Sequence, residues 1–133
     1  MPDPIFLTLA EVIEIHSDQI RRYGGQEGLR DRNLLESALA QPEASFAGQW
    51  LHADLYTMAA AYAYHVCQNH CFINGNKRTG LACALVFLEM NGVGLLDPQR
   101  KLEGAMLRVA SGKMTKAELA DLVRRLRIPR KRE

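Results

Sequence analysis

One stretch of twelve residues, Asn69 to Gly80, holds most of the side chains in this chain that can do chemistry. It contains one histidine, three side-chain amides, two adjacent cations and two glycines, a set suited to gripping a phosphate beside a proton acceptor. The flanking segments, 53–69 and 76–91, are apolar on nearly every face, which is typical of helices buried in the middle of a domain. The sequence therefore predicts a reactive loop held between two core helices.

The start of the second of these helices is a candidate anion site. The free backbone amides and the positive dipole end of a helix N-terminus attract negative charge. Lys77 and Arg78 oppose the dipole there, at a cost of roughly a few tenths of a kcal/mol that a bound anion would remove. We interpret Gly75, Asn76, Lys77 and Arg78 as phosphate-binding; the alternative is an ordinary capped helix with solvated cations. The stretch is not a Walker loop, since G-x-x-x-x-G-K-[ST] is absent.

His70 lies five residues before Gly75 and is the candidate proton acceptor. Histidine changes charge near neutral pH, and base catalysis by such a group contributes roughly 10²–10⁴-fold. The alternative role for His70 is a favourable position against the dipole at a helix end. A zinc site of His65, Cys67, His70 and Cys71 is disfavoured, because structural zinc normally joins two separated ligand pairs.

Caps and apolar periodicity predict six helices and no strand ladder, hence an all-α, compact six-helix bundle around a central buried pair. The predicted helices cover residues 8–23, 33–40, 53–69, 76–91, 97–111 and 115–126. Between 42 and 52 the helical period is lost, and Phe46, Gly48 and Trp50 indicate either a small flap that meets a partner or an ordinary loop with buried aromatics.

Composition indicates one soluble domain, residues 1–126, with a basic and flexible tail at 127–133. The net charge of +2 arises from that tail, so the body is mildly acidic and direct binding to nucleic acid is not expected. Residues 1–4 do not resemble a signal peptide, and no apolar run reaches the roughly 20 residues of a membrane span. The three cysteines are an odd number and should be reduced thiols, so we expect a cytoplasmic protein.

Residues 70–79 resemble the signature of the Fic family, and specifically of its death-on-curing (Doc) branch, the toxins of bacterial toxin–antitoxin pairs. The motif reads H-x-F-x-N-G-N-K-R-T. Further segments that resemble the family occur in order at 22–25, 28–31 and 87–92, so the resemblance extends over roughly residues 5 to 126. It implies the Fic fold and an enzyme that transfers part of a nucleoside triphosphate to a hydroxyl on a protein.

Two departures from the commonest Fic motif bear on which part is transferred. Most Fic proteins transfer AMP, and their motif has a glycine where this chain has Lys77 and an arginine where it has Leu81. A lysine side chain fills space left for phosphate, and leucine cannot hold a terminal phosphate. In the Doc branch, these two replacements accompany a nucleotide bound in the inverted orientation and transfer of its γ-phosphate. Elongation factor Tu is the known target of the branch. The resemblance thus implies a Ser/Thr kinase; AMP transfer is the alternative.

The resemblance also implies roles for single residues. His70 would be the general base, Phe72 would be buried and set the loop, and residues 75–78 would hold ATP. Position 74 usually carries an acid that binds Mg²⁺; Asn74 is a weaker ligand, so Mg²⁺ would depend largely on the phosphates. A catalytically weak module that only binds nucleotide or antitoxin is therefore a further alternative. The flap at 46–50 would dock the target protein.

Restraint of such an enzyme would come from a second protein. Many Fic enzymes carry an inhibitory helix with Ser/Thr-x-x-x-Glu followed by Gly or Asn, and this sequence lacks it. The resemblance therefore implies a Phd-like antitoxin whose C-terminal segment folds into an apolar groove on helices one, two or five.

Overall fold

The structure is a computed structural model of the chain and describes residues 3–129. The all-α prediction is confirmed, because six helices and one two-stranded hairpin make up the regular structure of these residues. In chain order the elements are α1 Leu9–Tyr23, α2 Arg32–Ala40, β1 Ser45–Phe46, β2 Gln49–Trp50, α3 Leu55–Asn69, α4 Asn76–Met90, α5 Lys101–Ala110 and α6 Lys116–Leu126.

Side-chain caps begin most of the helices. Thr8 and Thr115 form the predicted capping boxes at the starts of α1 and α6, and Asp54 forms a further one at α3. The predicted start of the fifth helix at residue 97 is wrong. The Asp97 carboxylate instead accepts from the backbone amides of Lys101 and Leu102, at 2.8 and 2.9 Å, so it caps α5 across a short turn.

The centre of the bundle is α3, which packs against α2, α4, α5 and α6. Its alanines at positions 59, 60, 61 and 63 are fully or almost fully buried and let neighbouring helices come close. At Gly80 of α4 a side chain would have no room, because an added Cβ would lie 2.7 Å from the carbonyl oxygen of Ala63. The predicted central pair of buried helices is therefore α3 and α4, whose backbones lie in close contact at Gly80.

Substituting Gly80 tests this contact. Gly80→Ala is expected to lower the free energy of unfolding by about 1–3 kcal/mol, because the methyl group must push α4 away from α3. Gly104→Ala in α5 is the matched control, since its Cβ would meet only Arg108 Nη1 at 3.7 Å. It should raise stability by about 0.5–1 kcal/mol through helix propensity. Urea unfolding measures both, and a Gly80 variant as stable as the parent would contradict the close packing.

The C-terminal segment stays attached beyond α6 as far as Ile128. Leu96 donates its backbone amide to Leu126, and Ile128 donates to Gly94, both at 2.9 Å. Arg127 forms an isolated antiparallel bridge with Leu95. The rest of the predicted basic tail, residues 130–133, lies outside the described residues. Within residues 3–129 no helix is both long and apolar enough to cross a membrane.

Candidate functional site

The predicted reactive loop lies between the C-terminus of α3 and the N-terminus of α4. His70 follows α3 with φ +49° and ψ 48°, a left-handed conformation that ends the helix. Gly75 precedes α4 with φ +80°. The side chain of His70 is exposed, as a residue that accepts a proton from another protein must be.

A segment that leads into α2 runs along one side of this loop. Leu29 and Phe72 form an antiparallel bridge, and the amide of Ile73 donates to Gly28 at 3.1 Å. The Arg30 guanidinium donates through Nε to the carbonyl oxygen of His70 at 2.6 Å. Arg30 therefore fixes the backbone of the candidate base. Arg30 was not predicted as a site residue from the sequence, although residues 28–31 belong to a segment with family resemblance.

Phe72 and Asn76 close the loop on itself. Phe72 is buried, with 2% of its surface exposed, as predicted. The Asn76 side chain accepts from the Phe72 amide at 3.0 Å and donates to the Phe72 carbonyl at 2.9 Å. Because its amide group is engaged in this way, Asn76 offers a phosphate its backbone amide and not the side chain that the motif led us to expect.

Asn74 is turned toward the neighbouring segment. Its Oδ1 accepts from the backbone amide of Gln26 at 2.7 Å, and its Nδ2 donates to the Ile73 carbonyl at 2.9 Å. Residues 3–129 contain no cluster of three or more His, Cys, Asp or Glu side chains able to hold a metal. The oxygen predicted to bind Mg²⁺ thus already has a backbone partner, the amide of Gln26.

Lys77 and Arg78 lie exposed in the first turn of α4. None of the ion pairs formed within residues 3–129 involves either of them. The Arg78 guanidinium lies over the Tyr23 ring, 5.3 Å from its centroid. Gly75 provides no side-chain cap, so the backbone amides in the first turn of α4 stay available to bind an anion. Two cations and an uncapped helix start form a candidate anion site.

The predicted flap does form a hairpin, with Ala47 and Gly48 at positive φ in its turn. Phe46 is 77% exposed, while Trp50 packs edge-on against Phe6 with ring centroids 5.4 Å apart. The hairpin precedes α3, whereas His70 follows it, and the 15 residues of α3 span about 22 Å. In the chain the hairpin adjoins the N-terminal end of α3, and docking of a target protein by Phe46, Gly48 and Trp50 stays a prediction.

Two other histidines, His52 and His65, are half-buried and contact Lys116. Lys116 Nζ lies 3.1 Å from both His52 Nε2 and His65 Nε2. Burial and the Lys116 charge lower the pKa of His65 to about 4 and also lower that of His52, so both rings accept from the ammonium. This cluster joins α6 to α3 and serves packing. His16, in contrast, contacts the reactive loop, and its sequence position gave no signal of this.

Within residues 3–129 the cysteines belong to no group of three or more His, Cys, Asp or Glu side chains that could hold a metal ion. All three are free and buried. Burial raises the pKa of the Cys71 thiol to about 11, which favours the protonated form over the thiolate that binds zinc. Nothing in the geometry therefore supports the zinc alternative.

The fold and the loop together define a Fic-fold protein. A family model described as the Fic/DOC family matches residues 6–88, and the chain belongs to this family, as the motif predicted. The chain is similar to "Protein kinase doc" of Escherichia phage P1, with 34% identity over 116 residues, 87% of this chain and 90% of that protein. It is also similar to "Toxin Doc" of Mycolicibacterium smegmatis, with 41% identity over 73 residues, 55% of this chain and 56% of that protein.

Proposed function

We propose that the chain is the toxin of a type II toxin–antitoxin system and transfers the γ-phosphate of ATP to a Ser or Thr hydroxyl of a bacterial protein. One arrangement carries the proposal: an exposed His70 ends α3, and a five-residue loop connects it to the uncapped, doubly cationic start of α4. The names of the two relatives, a protein kinase and a toxin, support it.

The chemistry follows from this arrangement. His70 accepts the proton of the target hydroxyl while that oxygen forms a bond to the γ-phosphorus. The bond from the γ-phosphorus to the oxygen bridging it to the β-phosphate breaks, and ADP leaves. Lys77, Arg78 and the first-turn amides stabilise the negative charge on the transferring group. The proton on His70 then passes to solvent.

The choice of the γ-phosphate over AMP depends on two side chains. Lys77 adds a cation at the helix start, so the phosphate that reacts there can be the terminal, most highly charged one. Leu81, one turn further along α4, is partly buried against the hydrophobic core. Its side chain is uncharged, so it cannot bind a terminal phosphate that lies deeper in the site. Transfer of AMP, the alternative, would need that second phosphate contact.

Mg²⁺ enters this proposal as an ion carried by the nucleotide. Asn74 contributes at most one neutral oxygen, and that oxygen already accepts from Gln26. The triphosphate supplies the hard, charged oxygens that Mg²⁺ prefers. A cytoplasmic translation factor such as elongation factor Tu remains the proposed target, and we propose that the segment 24–30, which lies beside the loop, contacts it.

A groove beside the anion site suits the proposed antitoxin. It lies between α1, α4 and α5, has a volume of about 460 Å³, and includes Lys77 and Arg78 in its lining. Its wall exposes large apolar side chains, with Tyr23 62%, Leu107 61% and Leu85 39% exposed. An amphipathic helix with an apolar stripe and an acidic residue at one end would match it and cover the phosphate site. The predicted helices one and five do line this groove, together with α4.

Position-specific labelling of ATP tests the activity. Purified protein is incubated in a bacterial lysate with ATP radiolabelled either at the γ- or at the α-phosphate. We expect protein-bound label from the γ-position alone. Label from the α-position would establish AMP transfer instead, and binding of ATP with no transfer of either label would establish the binding-module alternative.

A further inference from the structure

His16 is a buried polar side chain that reaches the reactive loop from α1. Only 3% of its surface is exposed. Its ring is stacked on Phe72, with centroids 3.8 Å apart and planes 6° from parallel. Its Nε2 lies 2.8 Å from the backbone oxygen of Asn74. Since a carbonyl oxygen can only accept, Nε2 carries the hydrogen and donates it.

This hydrogen bond determines which way a peptide group faces. In a trans peptide the C=O and the following N–H point in opposite directions, and residues 3–129 contain no cis peptide. Because the Asn74 carbonyl points inward to His16, the N–H of Gly75 points away from His16, toward the outer side of the loop where α4 begins. The direction of this amide therefore depends on the inward bond.

The peptide can adopt the opposite orientation if the inward bond is lost. Gly75 has φ +80°, and glycine tolerates both signs of φ at little cost. The inner side of Gly75 is already occupied, since an added Cβ would lie 3.2 Å from Ile20 Cδ1 and 3.8 Å from the His16 ring. A flipped peptide would turn the Asn74 carbonyl oxygen outward, to the place where the Gly75 N–H now points. This oxygen would repel an anion there.

We propose that His16 is a positioning residue of the phosphate site: it holds the Asn74 carbonyl inward and thereby keeps the Gly75 amide directed at the phosphate. His16 does not touch the substrate and acts through the peptide between residues 74 and 75. The inference rests on the proposed function, because it assumes that a phosphate occupies the start of α4.

Two substitutions separate this role from simple packing. His16→Phe retains an aromatic ring to stack on Phe72 but has no donor. His16→Gln loses the ring but offers a side-chain amide donor. If the hydrogen-bond donor matters, His16→Gln should bind ATP more tightly than His16→Phe. If only packing against Phe72 matters, His16→Phe should bind ATP more tightly than His16→Gln.

The experiment measures ATP and inorganic triphosphate binding by calorimetry, thermal unfolding, and the NMR signal of the Gly75 amide. Removing one hydrogen bond to a charged group costs about 10- to 100-fold in affinity, and we expect such a loss in His16→Phe with a shifted Gly75 signal. His16→Gln should bind within about threefold of the parent, because the hydrogen bond is restored. In the transfer assay the KM for ATP should rise more than kcat falls.

The contrary outcomes are distinct. If His16→Phe binds both probes like the parent, with an unchanged Gly75 signal, His16 does not position the site. If the loss of affinity for ATP and triphosphate in each variant parallels its drop in melting temperature, the role of His16 is structural only and the inference is wrong. If the parent chain itself binds neither probe, the proposed function fails, and the inference with it.

Discussion

Replacing His70 with asparagine is expected to lower the rate of phosphate transfer by roughly 10²–10⁴-fold, the usual contribution of a general base. Asparagine tolerates the left-handed backbone that His70 adopts, so the substitution should leave the loop in place. Because the side chain is exposed, the free energy of unfolding should change by less than about 0.5 kcal/mol. Initial rates of γ-label transfer and urea unfolding measure the two quantities.

ATP affinity provides the internal control for this variant. The phosphates are assigned to the start of α4 and not to His70, so the dissociation constant for ATP should stay within about twofold of the parent value. A transfer rate equal to that of the parent would show that another group accepts the proton. A parallel loss of ATP binding would show that His70 holds the nucleotide.

Replacing Arg78 with alanine is expected to reduce kcat/KM for ATP by about 10- to 150-fold, the range for losing a hydrogen bond to a charged group. Arg78 is held over the Tyr23 ring, so its planar guanidinium reaches the phosphate in a preset orientation. Arg78→Lys keeps the charge without the fork of donors and should fall between the parent and the alanine variant. Steady-state kinetics at varied ATP concentration measures the effect.

A distant arginine serves as the matched control. Arg125 is likewise exposed, in the last turn of α6, so Arg125→Ala removes the same charge away from the loop. Its kcat/KM should equal that of the parent at moderate ionic strength. If Arg125→Ala loses as much as Arg78→Ala, the effect is one of overall charge, and the assignment of Arg78 to the phosphate is wrong.

Local signals were sufficient to predict most of the helices. The capping boxes that begin at Thr8 and Thr115 depend on residues three apart, so their geometry is encoded within one turn. The fifth helix began later than predicted because Arg100, with φ +54°, interrupts the backbone between Asp97 and α5. Nothing in the residue type of an arginine predicts a positive φ.

The contacts that organise the loop could not be predicted in the same way. His16 and Asn74 are 58 positions apart, and Arg30 and His70 are 40 apart. Such pairs depend on how helices pack, which periodicity does not specify. An asparagine at a helix start, such as Asn76, is equally consistent with a loop contact and a ligand. The hairpin was recognised from its turn residues, but its place relative to His70 depended on the direction of α3.

The tight fit at Gly80 limits how this protein can respond to a nucleotide. With backbone against backbone at that point, the two central helices cannot slide or spread without breaking contact, so the candidate base His70 and the candidate anion site at the start of α4 should keep a constant spacing. The segment 24–30, whose glycines 24, 25 and 28 all have positive φ, is joined to the same loop by the hydrogen bonds from Ile73 to Gly28 and from Gln26 to Asn74. It is therefore held at the same fixed distance from the loop as the two helices are.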